Sequence, residues 1–299
     1  MSSEENKLNK EKIPQEVFDL YDDYVHDRME RRDFLQKISV YAVGGLTLPS
    51  IINFLMPNYD KSKKEELDYR SILIEKIKYH STKGGGWINA LKCIPSKSKK
   101  IKGCVLVAHE NRGLNPYIED VAKSLAVAGF MSLAPDALSP LGGYPGNDDE
   151  GRALQSKRDK FEILEDFKAG YDYLRTQANC NGKVGVVGFC FGGWISNMMA
   201  VQINELAAAV PYYGGQAPIE EVHKIKAPLL LHFAELDTRV NEGWPAYEKA
   251  LQEHQKPYSA YIYPKVNHGF HNHTTPRYDP AAAELSWKRT LKFFKANLK

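Results

Sequence analysis

Cysteine is scarce in this 299-residue chain: Cys93, Cys104, Cys180 and Cys190 are the four, and none stands in a C-x-x-C pair. That argues against a disulfide framework and a structural zinc site, and three of the four read as small buried apolar residues near strands. Charge of one sign is also lacking. Forty Lys and Arg face 37 Asp and Glu, a net charge of only +3, and the two signs are interspersed. Nucleic-acid binding, which needs a concentrated basic face, is excluded. Long hydrophobic runs are missing as well. The one candidate, residues 38–56, is about nineteen residues long, near the lower limit for a bilayer crossing. Gly44, Gly45, Thr47, Pro49, Ser50 and Asn53 dilute it, so no stable membrane span is expected. There is no internal repeat, and low complexity is confined to a lysine patch at 97–102, read as a solvated turn.

What is present is ordinary for a globular protein: 43% hydrophobic and 26% charged residues. The length allows one large α/β domain, residues 69–299, behind an N-terminal extension, residues 1–68. Residues 1–30 are polar and acidic with Phe18, Tyr21 and Tyr24 interspersed, as in a short helix or a loose arm. Arg31-Arg32-Asp33-Phe34-Leu35 then leads into the diluted apolar run, so that residues 30–56 resemble a twin-arginine export signal. The long arm before it, Glu30 where Ser or Thr is common, and the absence of an A-x-A site depart from that pattern. The competing reading is an amphipathic helix packed on the main domain. The first reading implies a bacterial periplasmic location, the second a cytoplasmic one, and both stand at this point. Residues 57–68 read as a solvated linker.

From residue 70 onward strand and helix patterns alternate. An antiparallel pair is expected at 71–81 and 87–94, joined across Gly84-Gly85-Gly86. Continuous apolar runs predict buried strands at 103–109, 130–134, 183–188, 207–212, 228–233 and 259–263. Helices are expected at 117–128, 161–175, 192–201, 244–253 and 281–298. The alternation implies an α/β fold with a doubly wound, mostly parallel sheet and helices on both faces.

One motif stands out: Gly188-Phe189-Cys190-Phe191-Gly192-Gly193, at the point where a strand gives way to a helix. It is the G-x-S-x-G nucleophile elbow with sulfur in place of oxygen, and its glycines answer a steric need at a tight turn. Helix N-terminal amides and a nearby imidazole favour a thiolate there, and the N–H of Phe191 is the natural first oxyanion donor. In this fold the order runs nucleophile, acid, histidine. Asp237, after the strand at 228–233, and His268, after the strand at 259–263, fall in that order at strand carboxyl ends, where open α/β sheets collect their sites. Glu235 lies nearer the strand and should point elsewhere. His268, His271 and His273 form H-x-x-H-x-H, but no Cys, Asp or Glu stands at ligand spacing, and no metal is expected. His232 reads as a hydrogen-bonded core histidine.

Together with His109-Glu110-Asn111-Arg112-Gly113, Ala134-Pro135-Asp136 and Tyr212-Tyr213-Gly214-Gly215, these residues resemble the dienelactone hydrolases (carboxymethylenebutenolidases) over residues 70–298. Within that family the extension and the phrases GGYPGNDD and HFAELDTRVNEGWPAYE are similar to a bacterial subgroup. The resemblance implies an α/β-hydrolase fold and hydrolysis of a small ester or lactone through Cys190, His268 and Asp237, without a cofactor. It implies that Glu110 contacts the resting thiol and helps generate the thiolate, and that the Asn111 N–H is the second oxyanion donor. Arg112 is a candidate partner for Glu110. Tyr144, Tyr213 and Phe270 are candidate pocket walls. Asn272 stands where the family's best-known members carry an arginine for the substrate carboxylate, leaving Arg277 or Arg152 as substitutes. A thioesterase or general carboxylesterase on the same residues, and a non-catalytic envelope-associated binding protein, are the alternatives. A monomer or small homo-oligomer is expected.

Overall fold

A computed structural model describes residues 13–43, 46–59, 69–96, 101 and 103–299. Eight strands form one sheet: β1 (Ile72–Ser81), β2 (Gly86–Pro95), β3 (Cys104–Ala108), β4 (Met131–Pro135), β5 (Val184–Phe189), β6 (Ala208–Tyr212), β7 (Leu229–Ala234) and β8 (Tyr258–Tyr263). Their spatial order is β1-β2-β4-β3-β5-β6-β7-β8. The β1–β2 hairpin and the β2–β4 pair are antiparallel, and the remaining pairings are parallel. Each anticipated strand is present, with ends displaced by a residue or so.

The helices are α1 (Gln15–Val25), α2 (Arg31–Ser39), α3 (Leu48–Leu55), α4 (Pro116–Val127), α5 (Asp148–Gln155), α6 (Lys160–Arg175), α7 (Phe191–Gln202), α8 (Thr238–Asn241), α9 (Trp244–Glu253) and α10 (Pro280–Asn297). Alternation along β3 shows how both sheet faces are filled. Val105 and Val107 pack into the cluster that holds Ile118 and Leu125 of α4 and Phe294 of α10. Leu106 and Ala108 point to the opposite cluster, with Phe167 of α6, Ile195 of α7 and Leu251 of α9. Helix α5 was not anticipated. Its sequence DDEGRALQ has no apolar stripe, and the Asn147 side chain starts it by accepting from the Asp149 and Glu150 N–H groups.

The N-terminal segment has a third hydrophobic cluster of its own. Val17, Phe18, Tyr21 and Tyr24 of α1 meet Phe34 and Ile38 of α2 and Ile51 and Leu55 of α3. The Tyr24 and Phe34 rings stack 4.7 Å apart. The apolar run after Arg31-Arg32 is thus split between two short helices, the second opened by a Thr47–Ser50 capping box. No helix among the described residues is long and apolar enough to cross a membrane. The expected linker lies mostly outside the described residues (60–68), as does the lysine patch (97–100 and 102). Ile101 within that patch is buried rather than solvated.

Candidate active site

The carboxyl ends of β3, β5, β7 and β8 bring the expected residues to one edge. Cys190 lies between β5 and α7 with φ 56° and ψ −113°. A non-glycine residue held there stores about 1–3 kcal/mol, which the surrounding fold must offset. Its N–H donates to the Tyr212 carbonyl at 3.0 Å, and its carbonyl accepts from Gly193 N–H at 2.9 Å. The flanking glycines are obligatory. A Cβ on Gly188 would stand 1.8 Å from the Gly192 carbonyl oxygen, and one on Gly192 would stand 2.1 Å from that of Ala108. Phe191, as the first helical residue, has no carbonyl one turn back to accept its N–H, which is left for a ligand.

His268 Nδ1 donates to Asp237 Oδ2 at 2.6 Å, and both side chains are buried. Its Nε2 is buried without a hydrogen-bond partner among the described residues. A His268 ring nitrogen lies within 4.8 Å of the Cys190 sulfur. Asp237 also caps α8 by accepting from Val240 N–H. Glu235 turns outward and accepts from Lys265 N–H at 2.7 Å. Tyr213 packs against His268 with ring centroids 4.9 Å apart, and Phe270 packs against Tyr213 at 5.4 Å. His232 is the expected core histidine, bonded to Tyr263 and Thr290.

Several expectations need correction. The hydrogen-bond partner of Glu110 is Asn272, whose Nδ2 donates to Oε2 at 3.0 Å. Arg112 instead forms a buried ion pair with Asp148 at 2.6 Å. Tyr144 joins that pair, donating to Asp148 at 2.9 Å, rather than the group around the sulfur. Neither proposed carboxylate-binding arginine is free. Arg277 Nη1 donates to Asp22 Oδ1 at 3.3 Å, and Arg152 Nη1 to Asp27 Oδ1 at 2.6 Å. Apart from these corrections, the other two histidines of the H-x-x-H-x-H run have partners of their own, His273 lying 3.8 Å from Asp120 Oδ2. His271 bonds Tyr117 OH at 2.8 Å, and burial drives its pKa down to about 3.

A contact that the sequence does not foretell is that of His26, the residue after α1, which covers the sulfur. Among the described residues the hydrogen-bond partner of Cys190 Sγ is neither Glu110 nor His268 but His26 Nε2, at 3.1 Å. His26 Nδ1 donates to the Asp22 carbonyl at 2.8 Å and lies 3.3 Å from Asp22 Oδ1. Burial works against its charge, but the Cys190 sulfur and Asp22 outweigh burial and raise its pKa above the ordinary histidine value. Burial likewise opposes ionisation of Asp22, yet His268, His26 and Arg239 hold its carboxyl well below the usual range. Arg239 Nε donates to Asp22 Oδ2 at 3.1 Å, and its Nη2 lies 3.2 Å from His26 Nε2. The sulfur and two imidazoles are metal-ligand types in one place, but this guanidinium faces the same nitrogens and opposes a cation. A cavity of about 230 Å³ remains beside them, bounded by Phe18, Asp22, Asp237, Arg239, His268 and Arg277. Asp22 and His26 show in sequence only as an acid four residues before a histidine, a helical spacing shared by many solvated faces.

Residues 88–298 match the model of the dienelactone hydrolase family, and residues 5–42 match a second model, described as YqhI-like. The "Putative hydrolase fragment YghX" of Escherichia coli K12 is 46% identical over 114 residues, 38% of this chain and 97% of that one. The carboxymethylenebutenolidase of Pseudomonas sp. strain P51 is 30% identical over 223 residues, covering 71% and 92% of the two chains. Among solved structures, the dienelactone hydrolase-like promiscuous phosphotriesterase P91, from metagenomic libraries, superposes with a TM-score of 0.67. It is 21% identical, over 77% of this chain and all of that one, a likeness that bears on the fold alone. With the mostly parallel sheet, the elbow and the family match over its greater part, the chain belongs to the dienelactone hydrolase family and is a hydrolase of ester bonds, lactones included.

Proposed function

We propose that this protein hydrolyses a small ester or lactone through a covalent thioester on Cys190, with His268 and Asp237 completing a Cys-His-Asp triad. The observation that carries the reading is the strained elbow conformation of Cys190 beside a histidine whose Nδ1 is held by a carboxylate. Because Asp237 accepts from Nδ1–H, the lone pair of His268 resides on Nε2, which has no other partner among the described residues. In the proposed cycle the sulfur attacks the acyl carbon, and the amides of Asn111 and Phe191 hold the oxyanion. The alcohol or enol leaves, and a water deprotonated by His268 then cleaves the thioester.

The substrate follows from the arginines. Asp22 occupies Arg277 and Arg239, and Asp27 occupies Arg152, so the acyl and leaving groups accepted are uncharged. Glu110, bonded to Asn272, serves to hold the loop after β3. The test is hydrolysis of a panel of aryl esters, thioesters and five- and six-membered lactones by the unaltered protein and by Cys190→Ala. Cys190-dependent turnover supports the assignment, and the panel separates lactonase from thioesterase and general esterase. Full activity in Cys190→Ala refutes it.

A further inference from the structure

We infer that His26, from the N-terminal segment, is a second catalytic base: it takes the thiol proton of Cys190 and returns it to the leaving group, leaving His268 to serve the water. This rests on the reading of Cys190 as nucleophile and assigns the step that the resemblance gave to Glu110. The tautomer of His26 carries the argument. The Asp22 carbonyl can only accept, so Nδ1 of His26 bears the hydrogen, and the lone pair of Nε2 lies between the sulfur at 3.1 Å and Arg239 Nη2, which donates toward it at 3.2 Å and must give way when the nitrogen takes the thiol proton. Asp22 thus does for His26 what Asp237 does for His268, and two Asp–His pairs converge on one sulfur. The two imidazole rings meet edge to face, with centroids 4.8 Å apart.

The charged and titratable groups facing His26 are Asp22 on its own helix, Cys190 at the elbow, His268 and Asp237 on the strand-end loops, and Arg239 on α8. Arg239 would oppose an imidazolium, but its Nε is bound to the Asp22 carboxylate, which balances that charge. The shift of the His26 pKa above the ordinary value is consistent with this balance.

The steps close. The S–H proton moves to His26 Nε2, giving thiolate and imidazolium. The thiolate forms the C–S bond, the carbonyl π pair moves to oxygen, and collapse breaks the C–O bond. The departing alkoxide takes the proton from His26. Water then adds to the thioester carbon, its proton going to His268, and collapse releases the acid and the thiolate. The proton on His268 passes to the thiolate, restoring the thiol beside two neutral imidazoles. His26 is consequently needed to form the acyl-enzyme and not to break it down.

The test uses the full chain with His26→Gln and His26→Ala. Gln retains a polar group beside the sulfur but cannot hold a proton. Iodoacetamide labelling is followed by intact mass, with Cys190→Ala to subtract the other three cysteines. Both variants are expected to be labelled about tenfold more slowly than the unaltered protein near pH 7, the deficit narrowing as the pH is raised and hydroxide takes the place of the imidazole as base. In ester hydrolysis the burst should slow by a similar factor while thioester breakdown keeps its rate. Labelling near pH 7 at the unaltered rate or faster, in variants whose circular dichroism matches the parent, would mean that the ring merely covers the sulfur and would overturn the proposal. Failure of the hydrolase reading is a different result: no Cys190-dependent turnover in the unaltered protein, whatever the labelling rates.

Discussion

Asn111 donates its side-chain amide to the Val25 carbonyl at 2.6 Å, tying the last turn of α1 to the loop after β3. The loop whose backbone is proposed to hold the oxyanion is therefore also a clamp on the segment that brings His26 to the sulfur. Replacing Asn111 with Ala removes this bond without touching the backbone N–H, a loss of about 1 kcal/mol in the hold on α1. Cleavage of the chain at Arg28, Arg31 or Arg32 by trypsin should quicken several-fold. An unchanged cleavage rate would show that other contacts dominate the docking.

Asp237→Asn is expected to leave the fold intact and lower kcat by about 10²–10⁴-fold, because an amide no longer fixes the imidazole tautomer. The circular dichroism spectrum and kcat on an aryl ester check both parts. A kcat within a factor of two of the parent would remove Asp237 from the mechanism.

Docking of α1 should depend on pH in two directions. The pKa of Asp22 is depressed below its ordinary 3.8, so its contribution is present above that value and is lost in acid, as the pH falls through the folded-state value. The pKa of His26 is raised above its ordinary 6.5, so its contribution is complete below that value and fades as the pH rises through the folded-state value. Hydrogen exchange in α1, corrected for intrinsic rates, should be slowest between these limits and should quicken on either side. Exchange that keeps slowing above neutrality would contradict the ion-pair account.

Neutral esters and lactones should have a kcat/KM at least about tenfold above analogues carrying a carboxylate, since the nearby guanidiniums already hold Asp22 and Asp27. Asp22→Ala frees Arg239 and Arg277 and should raise the ratio of anionic to neutral turnover, whatever it does to the absolute rates. A preference for anionic substrates in the unaltered protein would be the opposite of what this pairing implies.

Gly188→Ala should cost on the order of several kcal/mol, because backbone rather than a movable side chain meets the new methyl at 1.8 Å. Little soluble protein, or a large fall in Tm, is the expected outcome. A stable variant would mean that the elbow is looser than its geometry suggests.

The amino-acid sequence by itself determined the order of strands and helices, the elbow at Cys190 and the positions of Asp237 and His268. These are local matters: apolar runs of strand length, glycines where a Cβ cannot fit, and a chain order tied to one fold. Short α5 is not legible in the sequence because a capping side chain, not an apolar stripe, starts it. Only the tertiary structure decided which charge meets which. Arg112 goes to Asp148 instead of Glu110, Arg277 and Arg152 go to acids of the extension, and His26 reaches a sulfur 164 positions away. Such pairings follow from where packing brings separate segments together. Helix α1 seen alone carries an unremarkable acid and histidine one turn apart, and its partners lie on loops that the sheet gathers at one edge.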